Sequence, residues 1–209
     1  NTVQEITVIQ TNFKGNFAKD YHTFHGSGGA VYCTNFNIMT DFALHFINNE
    51  AGTYGGALFL DEGISVTIRN SLFKLNKGGY GGGLHITSAA YIDIANINLI
   101  GNEALYNGGG IHIDTSKVKI IVTHSNFVNN SAVQSSGGGM SIRSSRFVNV
   151  SHSTFVNNKA NFGGSTFISN TYNISVDSSQ LIQNHAQKGA GYCGEKNNVQ
   201  ILSNSYIIN

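Results

Sequence analysis

The chain predicts an all-β fold, a right-handed parallel β-helix (a β-solenoid) of about seven to eight coils with about 27 residues each, filling residues 1–209 as a single domain. Three observations predict it. A Phe-x-x-Asn-x-Ala landmark returns along the whole chain, a glycine pair followed by a short apolar strand returns at the same interval, and an apolar/x/apolar strand stands before each landmark. Short strands of period two, punctuated by Asn and Gly, leave no room for helices. One coil cannot offset the ordering entropy of its own residues, so only stacked neighbours close a core.

The alternating strand comes first in each coil. Its inward pairs read Ile6/Val8, Val66/Ile68, Ile92/Ile94, Ile120/Val122, Val148/Val150, Ile174/Val176 and Val199/Ile201. The second coil departs from the pattern, because Asp41 falls beside Met39 in the apolar slot. A lone buried carboxylate is costly, so a slip of register or a bulge is expected there, with Phe42 or Leu44 filling the space. The long step from Phe13 to Phe46 is expected to loop out around Asp20–His25.

The landmark follows. Its apolar position is Phe13, Phe46, Phe73, Leu99, Phe127, Phe155, Leu181 and Tyr206. Three residues on stand Asn16, Asn49, Asn76, Asn102, Asn130, Asn158, Asn184 and Asn209, and two further on Ala18, Ala51, Gly78, Ala104, Ala132, Ala160 and Ala186. Parallel strands about 4.8 Å apart set equivalent residues over one another. The asparagines therefore form a structural ladder, since a primary amide offers donors and an acceptor up and down the axis and Asn tolerates the left-handed backbone of a sharp turn. Ser71, Ser125, Ser153 and Ser179 form a second polar column, two residues before the apolar one. The glycine pairs begin at Gly28, Gly55, Gly81, Gly108, Gly137 and Gly163, with a weaker one at Gly189. Each supplies positive φ or a close approach of neighbouring coils.

Composition narrows the function. Net charge is +1 and only 11% of residues are charged, with the basic ones scattered singly, so nucleic acid is not an expected partner. No apolar run is long enough to span a membrane in this segment.

The landmarks together resemble a known repeat. Phe13-x-x-Asn16 with Gly28-Gly29-Ala30-Val31, and Phe46-x-x-Asn49 with Gly55-Gly56-Ala57-Leu58, look like the repeats of the polymorphic outer membrane proteins of chlamydiae. The resemblance extends over nearly the whole chain. It implies a pectin-lyase-like solenoid displayed at the cell surface or outside the cell, adhesive or fibrous, and not an enzyme.

A polysaccharide-cleaving or glycan-binding solenoid is the alternative, and it needs acids and bases on outward positions of adjacent coils. One patch offers them: Asp61, His85, His112, Asp114 and Arg143. Asp61 and Asp114 would lie two rungs apart, about 9.6 Å, the outer limit for an inverting carboxylate pair. His85 and His112 would stack closely enough to share a metal. The bland reading, solvated strand residues on a polar face, is the expected one, so no catalytic residue, metal or cofactor is assigned. Cys33 and Cys193 stand about six coils, or ~29 Å, apart and cannot bridge each other. Asn129, Asn149 and Asn173 open Asn-x-Ser sequons with outward side chains, the positions for N-glycosylation in a eukaryotic secretory pathway. The strands near Val3–Gln10 and Val199–Ile208 carry no cap, so the ends are expected to continue into further coils or to self-associate. Glycans and cell surfaces are the other expected partners.

Overall fold

The computed structural model describes residues 3–19 and 26–208, and among them there is no helix. The chain winds as a parallel β-solenoid. Successive coils advance by 26 to 28 residues from Asn49 onward, after one longer step of 33 from Asn16.

Three parallel sheets run along the stack. The largest joins the strand after the glycine pair to the alternating strand. These two are continuous over Val31–Phe42 and Leu58–Arg69 and divided in later coils, as in Leu84–Thr87 with Tyr91–Ala95. A left-handed residue marks the corner between them in every coil, from Asn35 and Glu62 to Ser88, Thr115, Ser144, Asn170 and Lys196. The second sheet carries the Phe column on three-residue strands such as Asn126–Val128. The third carries the Ala column on two-residue strands such as Glu103–Ala104.

Alternation puts one face of each strand inside. Val66, Ile68, Ile94, Ile120 and Val122 have no exposed surface and pack against the Phe column. There the rings of Phe46 and Phe73 stack with centroids 4.8 Å apart, and those of Phe127 and Phe155 at 4.3 Å, with Leu99 between the two pairs. Burial of a ring or branched side chain at each rung contributes about 1.5–3 kcal/mol, so the core grows coil by coil rather than around one centre.

The asparagines close a hydrogen-bonded ladder beside the rings. Asn102 Nδ2 donates to Asn130 Oδ1 at 3.0 Å and to the Phe73 carbonyl at 2.9 Å. Asn102 Oδ1 in turn accepts from the backbone N–H and the Nδ2 of Asn76. The pattern repeats at Asn49, Asn76, Asn130 and Asn158, so that both donors and both lone pairs of each amide are used. Asn209 lies outside the described residues, as do Asp20–His25. The left-handed backbone belongs not to the ladder residues but to those just before them: Gly15, Asn48, Leu75, Gly101, Asn129, Asn157 and Gln183. The serine column acts likewise at the preceding bend, with the Ser125 hydroxyl accepting from the Ile97 N–H and donating to the Thr123 carbonyl.

The two glycines of a pair do different work. Gly55 has φ of 59°, and a Cβ there would sit 2.3 Å from the Leu58 carbonyl oxygen. Gly56 has no such backbone, but its Cβ would meet the Gly82 carbonyl of the next coil at 2.1 Å. The first glycine makes the turn and the second lets coils close on each other.

Two expectations from the sequence are corrected. Asp41 does not slip out: it stands in register between Val8 and Ile68, fully buried, while Phe42 is 42% exposed. The strand Val31–Phe42 pairs along most of its length with Leu58–Arg69 and over Phe36–Phe42 with Val3–Ile9, and shifting it would turn every inward side chain outward. Neither Asp41 carboxylate oxygen has a partner, and burial pushes its carboxyl up to about 7. The last coil is offset by one residue. Ile207, not Tyr206, stands over Leu181, and Gln200 and Leu202, not Val199 and Ile201, stand over Ile174 and Val176.

Candidate functional site

The strand after each glycine pair presents two outward columns. The first runs Tyr32, Phe59, His85, His112, Ser141, Phe167 and Cys193, and the second Thr34, Asp61, Thr87, Asp114, Arg143, Ser169 and Glu195. Parallel pairing brings Asp61, His85, His112, Asp114 and Arg143 onto one strip of consecutive rungs.

They are not solvated strand residues. His85 and His112 are only 4% and 2% exposed. Tyrosines from the turns leading into the glycine pairs fold over them. Tyr54 lies 5.1 Å from the His85 ring and Tyr80 5.7 Å from that of His112, with Tyr106 4.9 Å beyond Tyr80. Phe59 meets His85 edge-on at 5.0 Å, and the two imidazoles meet each other edge-on at the same distance. The result is a cleft of about 460 Å³ with an aromatic and imidazole wall. Asp61, Thr87, Asp114 and Arg143, all half-buried, form its polar side.

Burial sets the charge of the wall. Desolvation lowers His85 to about 3 and holds His112 well below the ordinary imidazole range, where the nearby His85 and Arg143 add to the effect. Both rings are neutral at physiological pH. The Asp61 carboxyl is raised, first by desolvation and then by Glu62. Four polar atoms of this region are buried without a partner: Nδ1 of His85, Nδ1 of His112, Oγ of Ser141 and Nε of Arg143. Among the described residues no three His, Cys, Asp or Glu converge to hold a metal ion. What the cleft can do is hydrogen-bond through carboxylates, a guanidinium and uncharged imidazoles beside aromatic rings.

The sequence strip omits the tyrosines. Tyr54 and Tyr80 immediately precede Gly55 and Gly81, and that placement was the available signal. Elsewhere, Asn129 is exposed at a left-handed turn, and Asn149 and Asn173 are half-exposed on outward strand positions. Asn149 and Asn173 border a separate, mostly apolar groove of about 520 Å³ with Phe147 and Ile201. Cys33 and Cys193 are both free, Cys33 packing against the core. No helix among the described residues is long and apolar enough to cross a membrane.

Residues 10–34 match the family model of the Chlamydia polymorphic membrane protein repeat. No curated protein and no solved structure matches the chain. The matched stretch holds one full set of landmarks, Phe13, Asn16, Ala18 and the Gly28 pair, and the later coils repeat them in register. The chain is a parallel β-solenoid, and over residues 10–34 it is similar to the Chlamydia polymorphic membrane protein repeat.

Proposed function

We propose that this solenoid is a non-catalytic, structural and adhesive part of an extracellular or cell-surface protein. The observation that carries the reading is the repeat match at residues 10–34, whose landmarks continue through the stack to Asn184. The architecture supports it, because the ladder amides are spent on the rungs above and below and the outer face is left for partners. Cells that adhere to a surface coated with the chain, together with no turnover of acidic polysaccharides, are the expected outcome. Polysaccharide cleavage abolished by Asp114→Ala or His112→Ala, with the fold intact, would overturn it.

The reading extends to the ends. Leu202 and Ile207 stand over Val176 and Leu181 in the core columns, yet they are 48% and 51% exposed. Another copy of the chain docking on these columns would cover them. Sedimentation at micromolar concentration is expected to reveal association that Ile207→Lys weakens; a strictly monomeric wild type argues against docking between copies. In a eukaryotic secretory pathway Asn129, Asn149 and Asn173 carry N-glycans, and an intact mass without them at all three sites argues against that route.

A further inference from the structure

We propose that the cleft over His85 and His112 binds a neutral saccharide two to three units long, with sugar faces against the tyrosines and hydroxyls held by Asp61, Asp114 and Arg143. The inference rests on the adhesive reading above and gives it a ligand class and a place.

The length comes from the rungs. Asp61 and Arg143 are three rungs apart by strand register, about 14 Å at the spacing of parallel strands. That suits a short oligomer better than a single small ion. The chemistry comes from the side chains. Apolar sugar faces need aromatic surface, which Tyr54 and Tyr80 supply, both half-exposed. Sugar hydroxyls need acceptors and donors side by side, and the cleft alternates them along one line: Asp61, Thr87, Asp114, Arg143.

Charge and length exclude the nearest competitors. The two carboxylates outnumber the single guanidinium and the imidazoles add no positive charge, so a polyanion such as a uronate chain meets repulsion. A small quaternary ammonium would fill about one rung of a strip three rungs long and leave Arg143 without a partner.

A second observation points to a missing partner. Nδ1 of His85 and Nδ1 of His112 are buried without a hydrogen bond, although every ladder asparagine from Asn49 to Asn158 has all its bonds. Leaving such atoms unpaired is unfavourable. Both imidazoles form part of the wall of the cleft, beside Asp61, Asp114 and Arg143.

The test is calorimetric titration of the full chain with neutral hexose and N-acetylhexosamine oligomers of two to four units, with uronate oligomers and with choline. Saturable binding to at least one neutral oligomer is expected, weakened at least tenfold by Tyr80→Ala and by Asp114→Asn. Phe147→Ala, in the separate groove, is expected to bind as wild type does. Asp114→Asn keeps its shape at a half-buried rim and guards against a Tyr80 variant that fails to fold. Absence of neutral-sugar binding, tighter binding of uronate or choline, or binding unchanged by Asp114→Asn would overturn the proposal. Cell adhesion that persists without sugar binding overturns this inference alone; sugar binding without adhesion overturns the adhesive reading and leaves the site standing.

Discussion

Asn102 and Asp41 are both polar, both inside the solenoid and both shielded from water, yet one is fully bonded and the other has no partner. The difference lies in repetition. Asn102 has an identical amide one rung above and one below, and each supplies what the other lacks. Asp41 has Val8 and Ile68 as its axial neighbours, and an aliphatic side chain offers a carboxylate nothing. In a stacked fold a buried polar group is inexpensive when every coil carries it and costly when one coil does. His85 and His112 stand between these cases, two rungs long and partly satisfied.

The comparison can be broken most forcefully at Asp41. Its carboxyl titrates near 7 when folded and near the ordinary ~3.9 when unfolded, so the folded state holds the extra proton between these values. The stability this proton contributes is complete below about pH 3.9 and lost as pH rises to about 7, a loss of about 4 kcal/mol. Asp41→Val, which matches the apolar neighbours, is expected to stabilise by about that much at pH 8 and little at pH 4. Urea unfolding at the two pH values measures it, and parallel profiles for wild type and variant would refute the account.

Asn102→Leu is the converse and slightly smaller case. It leaves the Asn76 backbone N–H, the Asn76 amide and the Phe73 carbonyl short of partners. A loss of about 3 kcal/mol is expected in the same unfolding measurement. A loss below about 1 kcal/mol would mean that ring stacking carries the column without the ladder.

The histidines give a third effect of opposite pH sign to Asp41. His85 is neutral when folded down to about 3, whereas in the unfolded chain it takes a proton below about 6.5. Its contribution is complete above pH 6.5 and falls by about 2 kcal/mol on acidification to pH 5. Measured in the Asp41→Val background, where the two slopes do not cancel, His85→Phe is expected to remove that acid sensitivity. Smallest of all, Ser125→Ala removes an acceptor from the Ile97 N–H at one bend, for about 1 kcal/mol, and the midpoint of thermal unfolding reports it.

Much of this was legible in the sequence because period and stacking are the same information. Every Phe-type residue from Phe13 to Leu181 stands in one column, since equal intervals along the chain become equal positions in the coil. The last coil misleads because Tyr206, Ile207 and Ile208 are all apolar, so any of them could head the column. Ser205 decides it, accepting from the Ser179 N–H and placing the core residue two positions later. Asp41 misleads for an energetic reason: a local penalty suggested a local shift, but the pairing of a whole strand outweighs one carboxylate. At the cleft, the outward strip followed from strand alternation, whereas the roof of Tyr54, Tyr80 and Tyr106 arises in turns, where no alternation tells inside from outside.

The ladder also has a vector. From Asn16 to Asn184 each ladder bond runs from the amide nitrogen of one rung to the amide oxygen of its C-terminal neighbour. One end of the column is therefore an acceptor and the other a donor. Two copies meeting through the same end would set like against like, oxygen facing oxygen or N–H facing N–H. A copy that adds to the stack must arrive head to tail, and each arrival renews the same unfilled end. Such a contact has no two-fold axis to close it. Were copies to stack, an arrow of this kind would make filaments rather than pairs and give the array a single orientation throughout its length.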